Sequence, residues 1–118
     1  MAENTVKYKS YAFALRIIKV YKFLSSEQRE FVLSKQLLRS GTAIGALIRE
    51  AEHGESKADF IHKMSIALKE ANDTEYWLML LHDSEYLDEK SFQSIVLECQ
   101  ELIKMLVSII KSSKNNGK

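Results

Sequence analysis

Apolar residues recur along this chain at intervals of three and four, the spacing that places side chains on one face of an α-helix. Helix 1 is predicted over residues 4–24, and its first apolar stripe consists of Val6, Phe13, Ile17, Val20 and Leu24. A second apolar face lies on another side of the same helix and consists of Tyr8, Tyr11, Leu15 and Ile18. A helix that covers a core from one side needs a single stripe, so two stripes predict burial on two sides.

Helix 2 is predicted over residues 26–53. Ser25 and Gln28 have the spacing of an N-terminal capping box. The apolar stripe of this helix consists of Leu33, Leu37, Ile44, Ile48 and Ala51. Gly54 follows at the position where a glycine in the left-handed conformation commonly ends a helix.

Helix 3 is predicted over residues 57–86, with Ser56 as its N-cap and Asp59 three positions further on as the capping partner. Its core face consists of Phe60, Met64, Ala67, Leu68, Ala71 and Leu78. A second apolar face consists of Ile66, Trp77 and Leu81.

Helix 4 is predicted over residues 89–112 with Asp88 as its cap, and the polar residues 113–118 are predicted to fray. Its apolar band consists of Phe92, Ile95, Val96, Cys99, Leu102, Ile103, Leu106, Ile109 and Ile110. The chain has no proline and only four glycines, which disfavours a β-fold. Four long helices with short turns predict one all-α domain over residues 1–118, an antiparallel up-down-up-down four-helix bundle.

Gly41 and Gly45 lie inside helix 2, although each glycine costs about 1 kcal/mol relative to alanine in a helix interior. Small neighbours such as Ser40, Ala43 and Ala46 make the middle of this helix thin, so that another helix can approach closer than the usual ~8–10 Å. A phosphate-binding loop is the functional alternative, but such a loop follows a strand, and no strand is predicted here. We therefore predict close helix packing at the two glycines.

The net charge of +1 conceals a segregation of charge along the chain. Residues 1–49 contain nine basic and three acidic side chains, residues 50–101 contain four and thirteen, and residues 102–118 contain four lysines and no acid. Two interpretations remain open: helix faces whose charges balance across neighbouring helices, or a basic surface for a polyanion such as RNA or DNA.

A basic stripe on helix 1 is the best candidate for contact with nucleic acid, and it consists of Lys9, Arg16, Lys19 and Phe23. Such cations would contact phosphates with little sequence preference. A solvated lysine face is the alternative, as is a contact with the acidic helix 3 of a neighbouring subunit.

Two carboxylate–histidine pairs have the i, i+3 spacing used in di-metal bundles, Glu50 with His53 and Asp59 with His62. Both pairs lie beside a turn at one end of the predicted bundle, which favours solvated polar groups over a metal site. His82 is predicted to be a partly buried histidine bonded to a neighbour. The only cysteine lies on an apolar face, and the common nucleophile and nucleotide-binding motifs are absent. We therefore predict a non-enzymatic protein without a cofactor.

The start of the chain does not resemble a signal peptide, and no apolar run approaches the length of a membrane span. These features predict a cytoplasmic protein without a membrane partner.

The stretch QLLRSGTAIGALIREAEHGESKADFIHKMSIALKEANDTEYWLMLL resembles the core signature of the four-helix-bundle family named after intervening sequences in bacterial 23S ribosomal RNA genes. The matching positions are Gln36, Leu37, Arg39, Ser40, Ile44, Ile48, Glu50, Ala51, Ser56, Ala58, Phe60, Ala67, Glu70 and Trp77. The resemblance covers about residues 10 to 110. It implies a homopentameric ring with no established enzymatic activity.

Accessory proteins of diversity-generating retroelements look like relatives of this family, and they bind nucleic acid together with a reverse transcriptase. Those relatives are markedly basic, whereas this chain is nearly neutral. Arg39, Glu50 and Glu70 match family positions and are predicted to form ion pairs within or between subunits, because a lone carboxylate without an acid–base partner makes no active site.

The second apolar faces of helices 1 and 3 predict a homo-oligomer, because a monomer would leave both in water. The predicted interface consists of Tyr8, Tyr11, Leu15, Ile18, Ile66, Trp77 and Leu81. Two different patches suit the head-to-tail contacts of a ring, and the number of five subunits comes only from the resemblance. The predicted function is an interaction or scaffold protein that binds itself and an unidentified protein partner. The alternative is an accessory ring that binds structured RNA or DNA through the basic stripe.

Overall fold

A computed structural model describes the backbone of residues 2–116 and the side chains of residues 5–116. Four α-helices follow one another: α1 (Ala2–Ser26), α2 (Leu33–Glu52), α3 (Lys57–Asp83) and α4 (Glu89–Asn115). Each helix packs against the next, and α1 also packs against α4, which closes a rod of 51 × 21 × 19 Å. The predicted all-α up-down bundle is confirmed.

The core is built by the inward-facing apolar residues of the four helices. The largest fully buried side chains are Val6, Phe13, Ile17, Leu24, Leu37, Ile44, Met64, Leu78, Leu81, Ile95, Leu102 and Leu106. Burial of each such side chain contributes about 1.5–3 kcal/mol. Cys99 belongs to the same core, where its Sγ atom lies 3.3 Å from the carbonyl oxygen of Ala71. Burial raises the pKa of the Cys99 thiol to about 12, so this thiol is unreactive at neutral pH.

The predicted boundary between the first two helices is wrong. α1 continues through Ser26, and α2 begins only at Leu33. The predicted capping box of Ser25 and Gln28 does not form, because the Ser25 hydroxyl donates to the carbonyl oxygen of Tyr21 at 2.8 Å inside α1.

Glu30 caps α2 instead. The chain turns at Arg29, whose φ of 56° lies in the left-handed region. The Glu30 carboxylate then accepts hydrogen bonds from the backbone N–H groups of Val32, Leu33 and Ser34, at 3.2, 2.9 and 2.7 Å. Burial opposes ionisation of Glu30, but these backbone hydrogen bonds outweigh it and lower the pKa of the carboxyl.

Two residues are predicted to shape the connection between α2 and α3, Gly54 and Ser56, and one of the two predictions is correct. The Ser56 side chain accepts a hydrogen bond from the backbone N–H of Asp59 at 3.0 Å, so the predicted N-cap of α3 is confirmed. Gly54 is not left-handed, because no glycine in the described part of the chain has a positive φ. Its N–H donates to the carbonyl oxygen of Ala51 at 3.0 Å, a bond across three residues that forms a tighter turn after the end of α2.

α3 ends at Asp83, three residues before the predicted end. Glu85 has a φ of 71°, and its N–H donates to the carbonyl oxygen of His82 at 3.0 Å. The N–H of Tyr86 donates to the carbonyl oxygen of Leu81 at 2.8 Å. These two bonds form a Schellman motif, in which a glutamate occupies the position usually filled by glycine.

α4 is longer than predicted. Asp88 caps it as expected, since its carboxylate accepts a hydrogen bond from the N–H of Ser91 at 2.7 Å. The helix then continues to Asn115, so residues 113–115 are helical and not frayed. The rest of the predicted frayed segment is Asn116, which lies in a turn, and residues 117–118, which lie outside the described residues.

The two helical glycines lie where α1 crosses α2. A β-carbon on Gly41 would be 2.8 and 2.9 Å from the two Cγ atoms of Ile17, which is too close for any real side chain. A β-carbon on Gly45 would lie 3.3 Å from the Ser10 hydroxyl oxygen and 3.6 Å from the Ser10 backbone. A side chain therefore has less room at Gly41 than at Gly45.

Candidate interaction surfaces

A shallow apolar groove lies on the surface between α1 and α2. Its volume is about 500 Å³, and it is lined by Lys7, Tyr8, Ser10, Tyr11, Ala14, Thr42, Gly45, Ala46 and Arg49. The groove exists because α2 presents only small residues there, Thr42, Gly45 and Ala46. The side chains of Tyr8 and Tyr11 border it and are 73% and 62% exposed.

Three exposed residues on α1 extend this surface, and we call Tyr8, Tyr11 and Leu15 together the α1 face. Leu15 is 47% exposed, whereas Ile18, the fourth member of the predicted second face, is half-buried. Contiguous exposed apolar surface beside a groove usually marks a contact with another molecule. The second face of helix 1 is therefore largely free in a single chain.

The predicted second face of helix 3 needs correction. Leu81 is completely buried in the core, and Trp77 packs against the core with its indole nitrogen shielded from solvent. Ile66 is half-buried. The reason is that α3 packs against both α2 and α4, so the second neighbouring helix covers the second stripe. Leu81 and Trp77 are therefore not available as a surface patch.

The exposed apolar residues of α3 are two others, Tyr76 and Met79, which we call the α3 ridge. They are 56% and 47% exposed and lie one turn apart. The Tyr76 ring meets the ring of Trp77 edge-on, with centroids 5.3 Å apart. The outward stripe of α3 is polar at Ser65 and Asn72 before it becomes apolar at this ridge. That change along one stripe is the signal in the sequence that could have identified the α3 ridge.

Two of the three cations in the predicted basic stripe on α1 are neutralised within the chain. The Lys9 Nζ atom lies 3.1 Å from a carboxylate oxygen of Glu101, and Arg16 bonds to the carboxylate of Glu98. Both acids belong to α4. Lys19 forms no ion pair with any described residue, and Phe23 is 41% exposed.

The segregation of charge along the sequence is largely balanced in space. Among the described residues, five ion pairs of lysine or arginine with glutamate connect neighbouring helices, and these are Lys7–Glu52, Lys9–Glu101, Arg16–Glu98, Arg39–Glu70 and Lys63–Glu50. Four of these five join a cation from residues 1–49 to an acid from residues 50–101. The interpretation that charges balance across neighbouring helices therefore accounts for four of the nine cations in residues 1–49.

The pair of Arg39 and Glu70 is the least exposed of these contacts at its acidic end. Two hydrogen bonds of 3.2 Å join the guanidinium to the carboxylate, and the Glu70 side chain is only 12% exposed. The bond with Glu70 raises the pKa of Arg39. Directly beside it, the buried hydroxyls of Ser40 and Thr74 lie 2.8 Å apart. This polar layer joins α2 to α3.

Three residues of the two carboxylate–histidine pairs, Glu50, His53 and Asp59, line an open cleft at the end of the bundle where α2 meets α3, whereas His62 is not among its lining residues. Glu50 bonds to Lys63 at 3.0 Å, and the His53 side chain is 84% exposed. Within residues 5–116, no three His, Cys, Asp or Glu side chains come together in a way that could hold a metal ion.

His82 is partly buried and bonded to neighbours, as predicted. Its Nε2 atom lies 2.7 Å from a carboxylate oxygen of Glu89, and its Nδ1 atom lies 3.1 Å from one of Asp83. The imidazole stacks on the ring of Phe92 at a centroid distance of 4.2 Å. Burial alone would lower the pKa of His82, but the hydrogen bonds with Asp83 and Glu89 outweigh it, and the pKa is raised.

No helix in residues 2–116 combines the length with the hydropathy that crossing a lipid bilayer requires.

The fold and its surfaces define a small antiparallel four-helix bundle. More narrowly, the chain belongs to the 23S rRNA-intervening sequence protein family, whose model matches residues 2–108. The resemblance seen in the sequence is thereby confirmed.

A solved structure agrees with this assignment. It is that of a protein of unknown function from the S23 ribosomal protein family of Bacteroides thetaiotaomicron. This protein is 59% identical to the chain and superposes with a TM-score of 0.93, over 94% of this chain and 99% of that one. A search of curated proteins finds no match.

Proposed function

We propose that this chain is a non-enzymatic protein that assembles with copies of itself. In this assembly the α1 face and its groove on one copy contact the α3 ridge of the next. The observation that supports this most strongly is the exposure of Tyr8 and Tyr11, 73% and 62%, beside an apolar groove. Tyrosine is among the residues enriched in protein interfaces, because its ring supplies a large apolar area and its hydroxyl tolerates water.

Two different patches make the contact head-to-tail. A head-to-tail contact closes into a ring when its rotation allows closure and otherwise extends into a filament. The α1 face lies near the start of α1 and the α3 ridge near the end of α3, at opposite ends of the rod. Successive bundles in this assembly are therefore offset along the rod or inclined to one another. A ring of five subunits is the number that the family resemblance implies.

Light scattering tests this proposal. We expect the wild-type chain at micromolar concentration to have a mass several times that of the 13.6 kDa chain. Tyr8→Ser with Tyr11→Ser should lower the mass towards one chain while helical content stays unchanged. Leu97→Ser is the matched control, because Leu97 is 60% exposed on α4 outside both patches, and it should keep the wild-type mass. A monomeric wild-type chain would contradict the proposal.

The alternative function is an RNA- or DNA-binding ring that uses the basic stripe of α1. It has less support, because Lys9 and Arg16 are engaged with glutamates of α4. Phosphates could reach these two cations only in competition with carboxylates that are already in place.

A further inference from the structure

We propose that the connection between α1 and α2 binds single-stranded nucleic acid. The surface, which we call the connection patch, consists of Lys19, Lys22, Phe23, Arg29, Phe31 and Lys35. It keeps Lys19 and Phe23 of the stripe on helix 1 and adds residues that follow them in the chain. The inference does not depend on self-assembly, and the two are tested separately below.

The cations of this patch form no ion pair with any described residue. Five basic residues in the described part of residues 1–49 form no ion pair, and four of them belong to the patch. Two acids lie in the same stretch, but the carboxylate of Glu30 is buried and bonded to the start of α2. Glu27 is the exposed acid that remains. The connection therefore has an excess of positive charge, and it attracts an anionic partner.

Two aromatic rings are exposed among these cations. Phe23 and Phe31 are 41% and 46% exposed, and the neighbouring Val32 is 72% exposed. The guanidinium of Arg29 lies 5.6 Å from the centroid of the Phe31 ring. Neither phenylalanine belongs to the core or packs against it, so the core does not account for the presence of these two rings. Exposed rings interspersed with cations are the combination that binds single strands, because bases stack on the rings while the cations contact phosphates.

The local backbone presents Phe31 in a defined position. Arg29 turns the chain in the left-handed conformation, and Glu30 then bonds to three successive N–H groups that begin with that of Val32. Phe31 lies between these two fixed points. A rigid aromatic platform loses less conformational entropy on binding than a mobile loop would.

A second copy of the chain is a poorer partner for this patch. The acidic connection between α3 and α4 is the obvious complement, but its acids are occupied. Asp83 and Glu89 bond to His82, and Asp88 caps α4. Only Glu85 is left there without a described side-chain bond.

Duplex nucleic acid is also a poorer partner. It would engage the cations but not the rings, because its bases already stack on one another.

Fluorescence anisotropy with a labelled single strand of about 16 nucleotides tests the inference. We expect Lys19→Gln, Lys22→Gln and Lys35→Gln together to weaken binding at least about tenfold. They should also reduce the log–log salt slope by about 0.7 for each lost contact. The matched control removes three lysines at the other end of the rod, Lys104→Gln, Lys111→Gln and Lys114→Gln, and should weaken binding much less. An equal loss in both triple variants would overturn the proposal.

Phe31→Ala tests the stacking contact, because it removes a ring and no charge. It should weaken binding of the single strand about tenfold and leave binding of a duplex of the same length unchanged. No binding at a salt concentration of about 50 mM, or equal loss for both substrates, would overturn the proposal. Binding to anionic phospholipid vesicles without binding to the oligonucleotide would also overturn it and would identify a membrane surface instead.

Light scattering on the same variants separates this site from the assembly. The variants of the connection patch should keep the wild-type mass. If they lose it, the connection patch is a contact between subunits and the inference is wrong. If the wild-type chain is monomeric and still binds the strand, the proposed assembly fails and this inference stands.

Discussion

Gly41 and Ile17 are in such close contact that the space for a side chain on Gly41 is already filled. The two Cγ atoms of Ile17 would lie 2.8 and 2.9 Å from a β-carbon at this position. Ile17 is fully buried, so it has no room to move away. The glycine therefore permits the crossing of α1 over α2, and close packing offsets its helix-propensity cost of about 1 kcal/mol.

Gly41→Ala should destabilise the chain by about 1–3 kcal/mol, because overpacking a buried contact costs more than the better helix propensity returns. Gly45→Ala is the matched comparison, and there only the Ser10 hydroxyl, at 3.3 Å, has to give way. We expect this second change to be nearly neutral or slightly stabilising. Urea denaturation followed by circular dichroism measures both, and a Gly41→Ala chain as stable as the wild type would refute the packing explanation.

Glu30→Ala should lower the free energy of unfolding by about 1–2 kcal/mol, the cost of losing a strong helix cap. Three backbone N–H groups at the start of α2 lose their acceptor. Glu27→Ala serves as the control, because Glu27 is exposed and has no described side-chain bond, and it should change stability by less than about 0.5 kcal/mol. Thermal melts compare the two variants, and equal effects would show that Glu30 is not the cap.

Stability should depend on pH through His82. Its raised pKa means that the folded state holds the proton more tightly than the unfolded state does. This contribution is complete below the ordinary value of 6.5 and is lost as the pH rises through the folded-state pKa. The Tm advantage of the wild type over His82→Gln should therefore be largest below pH 6.5 and shrink as the pH rises above it. Glu89→Gln should weaken the same dependence, and an identical pH profile for all three proteins would exclude the effect.

The sequence predicts the core of this bundle well, because a period of 3.6 residues identifies the buried stripe of each helix. It does not show which neighbour covers a second stripe. Trp77 and Leu81 have the pattern of a free surface, yet in a bundle each helix has two neighbours, and both residues pack inside the chain. Tyr8 and Tyr11 have the same kind of pattern and remain exposed. Only the arrangement of the helices distinguishes the two cases.

The sequence does not predict where α2 starts, and the reason lies in local hydrogen bonds. The hydroxyls of Ser25 and Ser26 bond back to carbonyl oxygens of the preceding turn, so the residues that resemble a cap extend α1 instead. The N-cap position of α2 is Val32, and the capping carboxylate comes from Glu30 two residues earlier, so the preference for Ser, Thr, Asp or Asn at an N-cap does not identify it. The basic stripe fails to predict free charge for the opposite reason, because the partners of Lys9 and Arg16 lie far away in the sequence on α4.

The central claim is that copies of this chain contact one another through two different patches. Two variants, each with one patch removed, test it directly. The first is Tyr8→Ser with Tyr11→Ser, which removes the α1 face, and the second is Tyr76→Ser with Met79→Ser, which removes the α3 ridge. Circular dichroism should show that both remain helical.

Native mass spectrometry of the two variants, alone and mixed, gives the decisive result. Each variant alone should have the 13.6 kDa mass of one chain, because neither can form the contact with its own kind. Their equimolar mixture should form a complex of one copy of each, because the intact α3 ridge of the first fits the intact α1 face of the second. A mixture that stays monomeric, or a variant that alone keeps the wild-type mass, would contradict the claim.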